Sequence, residues 1–352
     1  MSATRSLFPG AMGPEGFISC FDQLIAGARL RRMLILKGGP GVGKSTFMRR
    51  VHAALSAEGE ESTLYFCSGD PDSLDAVALP DRGVLILDGT APHVVDPIIP
   101  GARDSLINLG AHLDEPAMRP RLPHIRACMD DHAACTRRAR ACLRAAAALA
   151  QDSAAVYAAA DDAQRMAGMT HALIASVLPA GCAGQDRPAV RQVLANAVTP
   201  KGELCLIAEN ALPRIVRLTA PWGMDLTGPL RALSMAARSN GYAVEEYLSP
   251  TQPGGLMHLA IPSLHTLVTT SDLLPSELTF DFGLCLPSGS LLRNECALEQ
   301  ERAGVKLHLH RAVSALAQAK QLHDELETFY VPNMDFGAWQ RTLEETLESL
   351  KA

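Results

Sequence analysis

No apolar run in the chain reaches the roughly 20 residues that a membrane span requires. Its most alanine-rich stretch, 141–160, is broken by Arg144, Gln151 and Asp152. The opening MSATRSLFPGAMGPEGF has no apolar core of signal-peptide length. Basic charge is not in excess either: 32 Lys and Arg against 38 Asp and Glu leave a net charge of −6. That excludes a chain organised around a strongly basic nucleic-acid footprint, so nucleic acid is not an expected partner. The nine cysteines form no closely spaced pair, and neither a disulfide framework nor a zinc site is signalled. Reduced thiols in a soluble, cytoplasmic protein with no membrane partner are the expectation. What remains is ordinary globular material, 47% hydrophobic and 20% charged, long enough for about two domains.

Against that background one segment carries chemistry. The apolar run Met33–Leu36 leads into Lys37-Gly38-Gly39-Pro40-Gly41-Val42-Gly43-Lys44-Ser45-Thr46, followed by a stretch of helical composition. Gly38, four residues, then Gly43-Lys44-Ser45 matches the phosphate-binding loop pattern with a strand before it and a helix after it. Glycines let the backbone amides converge on phosphate oxygens, and the following helix presents the positive end of its dipole to them. In that reading Gly38 to Thr46 cradle ATP, Lys44 neutralises the β- and γ-phosphates, and the Ser45 hydroxyl ligates Mg²⁺. The bland alternative is a glycine-rich turn between a strand and a helix.

A magnesium-ordering carboxylate belongs at the end of a second apolar strand, and Val84-Leu85-Ile86-Leu87-Asp88 has that form. No Glu follows Asp88, so a motor-type ATPase with a water-activating Glu at that place is disfavoured. The nucleophile is then oriented by another carboxylate or by His93, or it is not water. Asp70, in the acidic stretch Asp70, Asp72 and Asp75, and His93, just after the metal acid, are the further candidate catalytic groups. Capping of a following helix is the structural alternative for the three acids; Asp96 is a weaker candidate.

The chain also repeats itself. A shift of 182 residues lays 34–88 over 216–270 without a gap, pairing Leu36 with Leu218, Gly41 with Gly223, Arg49 with Arg231, Tyr65 with Tyr247, Leu74 with Leu256 and Pro80 with Pro262. A related shift of 186 pairs Pro14 and Gly16 with Pro200 and Gly202. The matches fall at turns and strand-like blocks, which marks two copies of one unit, 1–185 and 186–352. The second loop is chemically altered: Asp225 and Leu226 stand where Gly43 and Lys44 do, and Thr270 replaces Asp88. An acidic group where phosphate should rest repels it by up to about 4 kcal/mol at 4 Å and an effective dielectric of 20. Only the first copy is expected to bind Mg-ATP.

Cys67-Ser68-Gly69-Asp70-Pro71-Asp72-Ser73-Leu74-Asp75, Leu87-Asp88-Gly89-Thr90-Ala91-Pro92-His93, Thr199-Pro200-Lys201-Gly202 and Asn333-Met334-Asp335-Phe336 together resemble a bacterial family of tandem P-loop proteins described as ATPases or nucleotide-kinase-like. The resemblance implies ATP binding and hydrolysis and names no acceptor or protein partner. Members often keep both loops; this chain departs from that at Asp225 and Leu226.

The fold class expected is α/β: two P-loop NTPase-like parallel sheets in tandem, each with a helical extension. Residues 125–169 read as one long helix, with Cys128, Cys135 and Cys142 on its buried face and Arg126, Arg137, Arg140 and Arg144 opposite. Residues 299–330, ended by Pro332, and 338–350 read as helices of the second copy. Function is expected to be Mg-dependent ATP hydrolysis in copy one; phosphotransfer to a small molecule or nucleotide, and nucleotide-gated binding with little turnover, are the alternatives.

Overall fold

The computed structural model describes residues 4–27, 30–56, 61–179 and 189–351. In the first copy the strands are β1 (Thr4–Leu7), β2 (Gly10–Met12), β3 (Phe17–Ser19), β4 (Arg32–Lys37), β5 (Ser62–Phe66), β6 (Leu74–Leu79), β7 (Val84–Asp88) and β8 (Asp104–Asn108). The second copy contributes β9 (Val190–Val193), β10 (Asn196–Thr199), β11 (Gly202–Cys205), β12 (Arg214–Thr219), β13 (Val244–Leu248), β14 (Leu256–Ile261), β15 (Thr266–Thr269) and β16 (Leu278–Asp281). Two six-stranded sheets result, ordered β1-β5-β6-β7-β4-β8 and β16-β12-β15-β14-β13-β9. Each is the other's order read backwards, with β9, β12, β13 and β14 in the places of β1, β4, β5 and β6.

The sheets are α/β but mixed, not wholly parallel as expected. β1 and β5, β4 and β7, and β4 and β8 run parallel, while β6 is antiparallel to both neighbours. The reason is local. No helix follows the 67–73 turn; the chain reverses there and enters β6 directly, so no crossover is available to make β5 and β6 parallel. The same reversal recurs between β13 and β14.

The helices are α1 (Phe21–Ile25), α2 (Lys44–Leu55), α3 (Glu115–Met118), α4 (Leu122–Ala160), α5 (Ala163–Val177), α6 (Thr227–Ser239), α7 (Glu295–Tyr330) and α8 (Phe336–Lys351). The single helix expected over 125–169 is two: α4 ends at Ala160, and Asp162 caps α5 by accepting from Gln164 N and Arg165 N. α4 and α7 pack along each other antiparallel, with Cys128 Sγ donating to Leu322 O at 3.1 Å near one end and Ser153 donating to Glu301 near the other. Small residues there, Ala139 packed with Ala312 and Ala315, let the backbones approach. Buried Cys128 packs with Ile125 and Leu326, as a core thiol does.

The terminal helices of the hairpin are exchanged. α8 packs in the core of the first sheet, where Trp339 and Leu343 join Leu34, Leu36, Phe47 and Met48. Conversely, α5 gives Leu173 and Val177 to the core of the second sheet, with Val216, Leu218 and Leu230. Each sheet is therefore completed by a helix of the other copy. The boundary read at residue 185 lies outside the described residues.

Between the copies lies a further core, with Leu7, Phe8 and Ala11 packed against Val193, Leu194 and Ala195. Phe8 N donates to Leu194 O at 2.9 Å, and these residues occupy equivalent positions under the 186-residue shift. Arg5 holds Glu245 through two hydrogen bonds, 3.2 and 2.6 Å, and Arg191 bonds the same carboxylate at 3.1 Å. Burial pushes the Glu245 carboxyl up, yet the two guanidinium groups hold it below its ordinary value. No helix among the described residues is long and apolar enough to cross a membrane.

Candidate functional site

The loop after β4 turns through two glycines whose backbone leaves the L-residue region. Gly41 has φ 69° and Gly43 has φ 83°, and a side chain at either would also collide. A Cβ on Gly41 would lie 2.8 Å from Val331 Cγ2, and one on Gly43 3.1 Å from Trp339 Nε1. α2 begins at Lys44 with no side chain capping its N-terminus, so its first amides point outward unclaimed by a side chain. Val42 is buried in the core under the loop, Gly39 lies beneath the Tyr330 ring, Pro40 is half-buried and Thr46 faces solvent.

Lys44 Nζ donates to Gly38 O at 2.8 Å and Gly39 O at 3.1 Å, and stands 3.4 Å from Asp88 Oδ2. Ser45 Oγ accepts from Leu74 N at 2.9 Å. The register explains the pairing of lysine and acid: β4 and β7 are parallel neighbours with Leu36 opposite Asp88, so the acid ends beside the start of the loop. The other Asp88 oxygen accepts from Thr90 N and Thr90 Oγ1 at 2.8 and 2.6 Å, which fixes the carboxylate.

A third acid joins them. In the antiparallel pair β6–β7, Ala76 is opposite Leu87, so the next residue outward, Asp75, falls opposite Asp88. Asp75 is 7% exposed. Burial first, then the Asp88 charge, push its carboxyl up to about 7, against the Cys67 hydrogen bond and the Lys44 charge. His93 Nε2 lies 4.0 Å from Asp75 Oδ2, and the imidazole stacks on Phe21 at 4.5 Å between ring centres. Burial draws the His93 pKa below its ordinary value, with Asp88 opposing and Lys44 adding. Lys44, Ser45, Asp88 and His93 are thus brought together, with Asp75 among them. Asp70 stands at the rim, accepting from Ser73 Oγ at 2.8 Å and facing Lys320 at 3.7 Å. Asp96 turns to Lys37 at 3.0 Å.

Copy two reaches into this region. Lys201 Nζ donates to both Asp72 oxygens at 2.6 Å, Lys320 faces Asp70, and Tyr330, Val331 and Trp339 lie against the loop glycines. The reciprocal contact exists: Ser153 and Tyr157 of α4 lie against Gly223. Sequence reasoning named Asp75 only within the acidic stretch with Asp70 and Asp72, preferring Asp70, and did not single out Trp339, Tyr330 or Lys320. For Asp75 a signal was present, because the repeat sets it against Met257, an acid kept in one copy only.

The second loop is organised differently. Leu226 is 7% exposed and packs in the core with Leu230 and Phe282. Asp225 Oδ1 accepts from Thr227 N at 2.8 Å, so the amide equivalent to that of Ser45 is already taken by a carboxylate. Thr227 Oγ1 still accepts from Leu256 N at 3.1 Å, the counterpart of the Ser45–Leu74 bond. That bond belongs to the shared fold; the charges of the first site do not. Lys44, Asp75, Asp88 and Asp70 correspond to Leu226, Met257, Thr270 and Gln252. No family model, curated protein or solved structure matches this chain.

Proposed function

We propose that copy one is a Mg²⁺-dependent nucleoside-triphosphate site, with ATP the expected nucleotide, and that it hydrolyses the γ-phosphate. One observation carries the reading. Two copies of one fold differ in that the first keeps a glycine loop whose helix start no side chain caps, a lysine and three acids, where the second caps its helix with Asp225 and has neutral side chains at the four equivalent positions. A duplicated scaffold needs none of those charges to fold, as copy two demonstrates; burying them is costly unless they serve a ligand.

The residues present fit a magnesium triphosphate. The amides of Gly41 to Ser45 and the N-terminus of α2 would hold phosphate oxygens, and Lys44, now bonded to two loop carbonyls, carries the charge to meet them. Ser45 Oγ and Asp88 would hold Mg²⁺, which supplies charge neutralisation of the phosphates. Asp75 and His93 are the proton acceptors next to Asp88. The pseudo-equivalent half acts as scaffold and cover, through Tyr330, Val331 and Trp339.

γ-Labelled ATP with Mg²⁺, incubated with and without small-metabolite pools, tests the proposal. Free labelled phosphate is expected, and Lys44→Ala should abolish it. Turnover that survives Lys44→Ala, or protein that retains no ATP at all, refutes the reading. The absence of Glu after Asp88 favours a second reading, phosphotransfer to a small molecule or nucleotide, which a labelled organic product would establish. Retention without turnover would instead support a nucleotide-gated binding protein.

A further inference from the structure

We infer that Asp75, Asp88 and His93 form a binding site for a divalent first-row transition ion, with Mn²⁺ as the test case, in the nucleotide-free protein. One ligand atom from each lies within 4.8 Å of the other two. His93 Nε2 and Asp75 Oδ2 are 4.0 Å apart; two ligands on opposite sides of an ion bonded at about 2.1 Å stand roughly 4.2 Å apart. Only one pair of the three can stand opposite, so the third ligand atom has to move in beside them to close the site on an ion.

Three further features point to a cation. The His93 side chain is 6% exposed, its Nδ1 has no partner among the described residues, and Nε2 is beyond hydrogen-bond length of the carboxylate it faces. Nδ1 points away from the acids and is not the ligand atom; it is Nε2, on a side chain this buried and facing Asp75 at 4.0 Å, that is open to a ligand. Phe21 stacked at 15° and Phe17 at 5.7 Å hold the ring there. Two carboxylates also share one ammonium, Lys44, which leaves negative charge to be met. Finally, copy two, which lost the lysine, has Met257 and Thr270 at the carboxylate positions: cation-demanding groups and phosphate-binding groups vanish together.

The donor set decides the metal. Mg²⁺ favours oxygen-only coordination, whereas an imidazole nitrogen with two carboxylates suits Mn²⁺ and its heavier neighbours. The ion takes the lone pairs that Asp75 and His93 otherwise offer to a proton, so this is a state of the resting protein. It shares Asp88 with the proposed magnesium site but does not require nucleotide.

Titration of the full-length, chelator-treated protein with Mn²⁺ alone, followed by the loss of free-ion EPR signal, tests the inference. One Mn²⁺ per chain is expected, resistant to a tenfold excess of Mg²⁺. His93→Asn and Asp75→Asn should each weaken binding at least tenfold while circular dichroism shows the fold retained. Asp324→Asn, at the exposed member of the otherwise half-buried His323–Asp324–Glu327 group on α7, should leave binding unchanged. Lys44→Ala removes a competing charge beside Asp88 and should tighten Mn²⁺ binding while abolishing ATP retention. The two readings thus fail separately. No binding by the wild type, equal binding by folded His93→Asn, loss on Asp324→Asn, displacement by Mg²⁺, or weaker binding in Lys44→Ala each overturns it.

Discussion

His258 sets an acid limit on the stability of the second copy. Its imidazole is fully buried on β14, with Nδ1 2.8 Å from Thr269 Oγ1 on β15 and Nε2 3.1 Å from Asn196 Oδ1 on β10. Asn196 Oδ1 only accepts, so Nε2 carries the proton and Nδ1 accepts from the threonine hydroxyl; the ring is satisfied as the neutral tautomer. Burial lowers its pKa to about 3. In the unfolded chain the same ring protonates at about 6.5. Above that pH both states are neutral and the residue contributes no pH dependence. Below it the unfolded state binds a proton that the folded state refuses, so stability falls by about 1.4 kcal/mol per pH unit until the folded ring protonates as well. Between about pH 7.5 and about pH 4.5 the loss from this group is about 3 kcal/mol.

The assay is urea unfolding across that range in chelating buffer, on wild type and His258→Gln. The variant loses hydrogen bonds and is expected to be less stable near neutrality. Its stability should nevertheless fall less on acidification, by about 3 kcal/mol across the window. Carboxylates titrate in both proteins and cancel in the difference. Parallel pH dependences would refute the assignment of a neutral, acid-sensitive imidazole.

The remaining predictions concern the divergence and the interlocking of the copies. Leu226→Lys recreates the lysine of the first loop in the second, but it places an ammonium in a leucine-lined core. It should cost about 2–5 kcal/mol in urea unfolding and add no second nucleotide equivalent in equilibrium dialysis, since Thr270 and Asp225 remain. Trp339→Ala removes the ring that α8 inserts between Phe47 and Arg50 of α2 and should cost about 3–5 kcal/mol. A loss below about 1 kcal/mol would mean that α8 does not complete the first core.

Legibility in the sequence followed the locality of the cause. The loop, its strand and its helix were readable because glycine positions and one apolar block determine them within a dozen residues. The duplication was readable too: strands at 32–37, 62–66 and 74–79 reappear at 214–219, 244–248 and 256–261, the offset that the sequence matches give. Strand direction was not readable. Leu74 to Leu79 is apolar and buried whichever way it runs, and the reversal depends on a turn at 67–73 that resembles a helix-capping segment in composition. This is why Asp75 was named only as part of an acidic stretch and not as the partner of Asp88. In a wholly parallel sheet it would sit at the start of its strand, at the far end from Asp88; only the antiparallel register sets the two carboxylates face to face.

The exchange of α5 and α8 was equally hidden, since an amphipathic helix does not state which sheet it covers. Its consequence bears on why an altered second copy persists. Were the copies independent, a half without the loop lysine would be dispensable to the other. Here the first sheet's core contains Met334, Trp339 and Leu343, and the loop glycines are contacted by Tyr330, Val331 and Trp339. Lys201 and Lys320 also reach Asp72 and Asp70. The second copy supplies the packing that shapes the first copy's loop, so its own loop was free to lose charge while its helices were not.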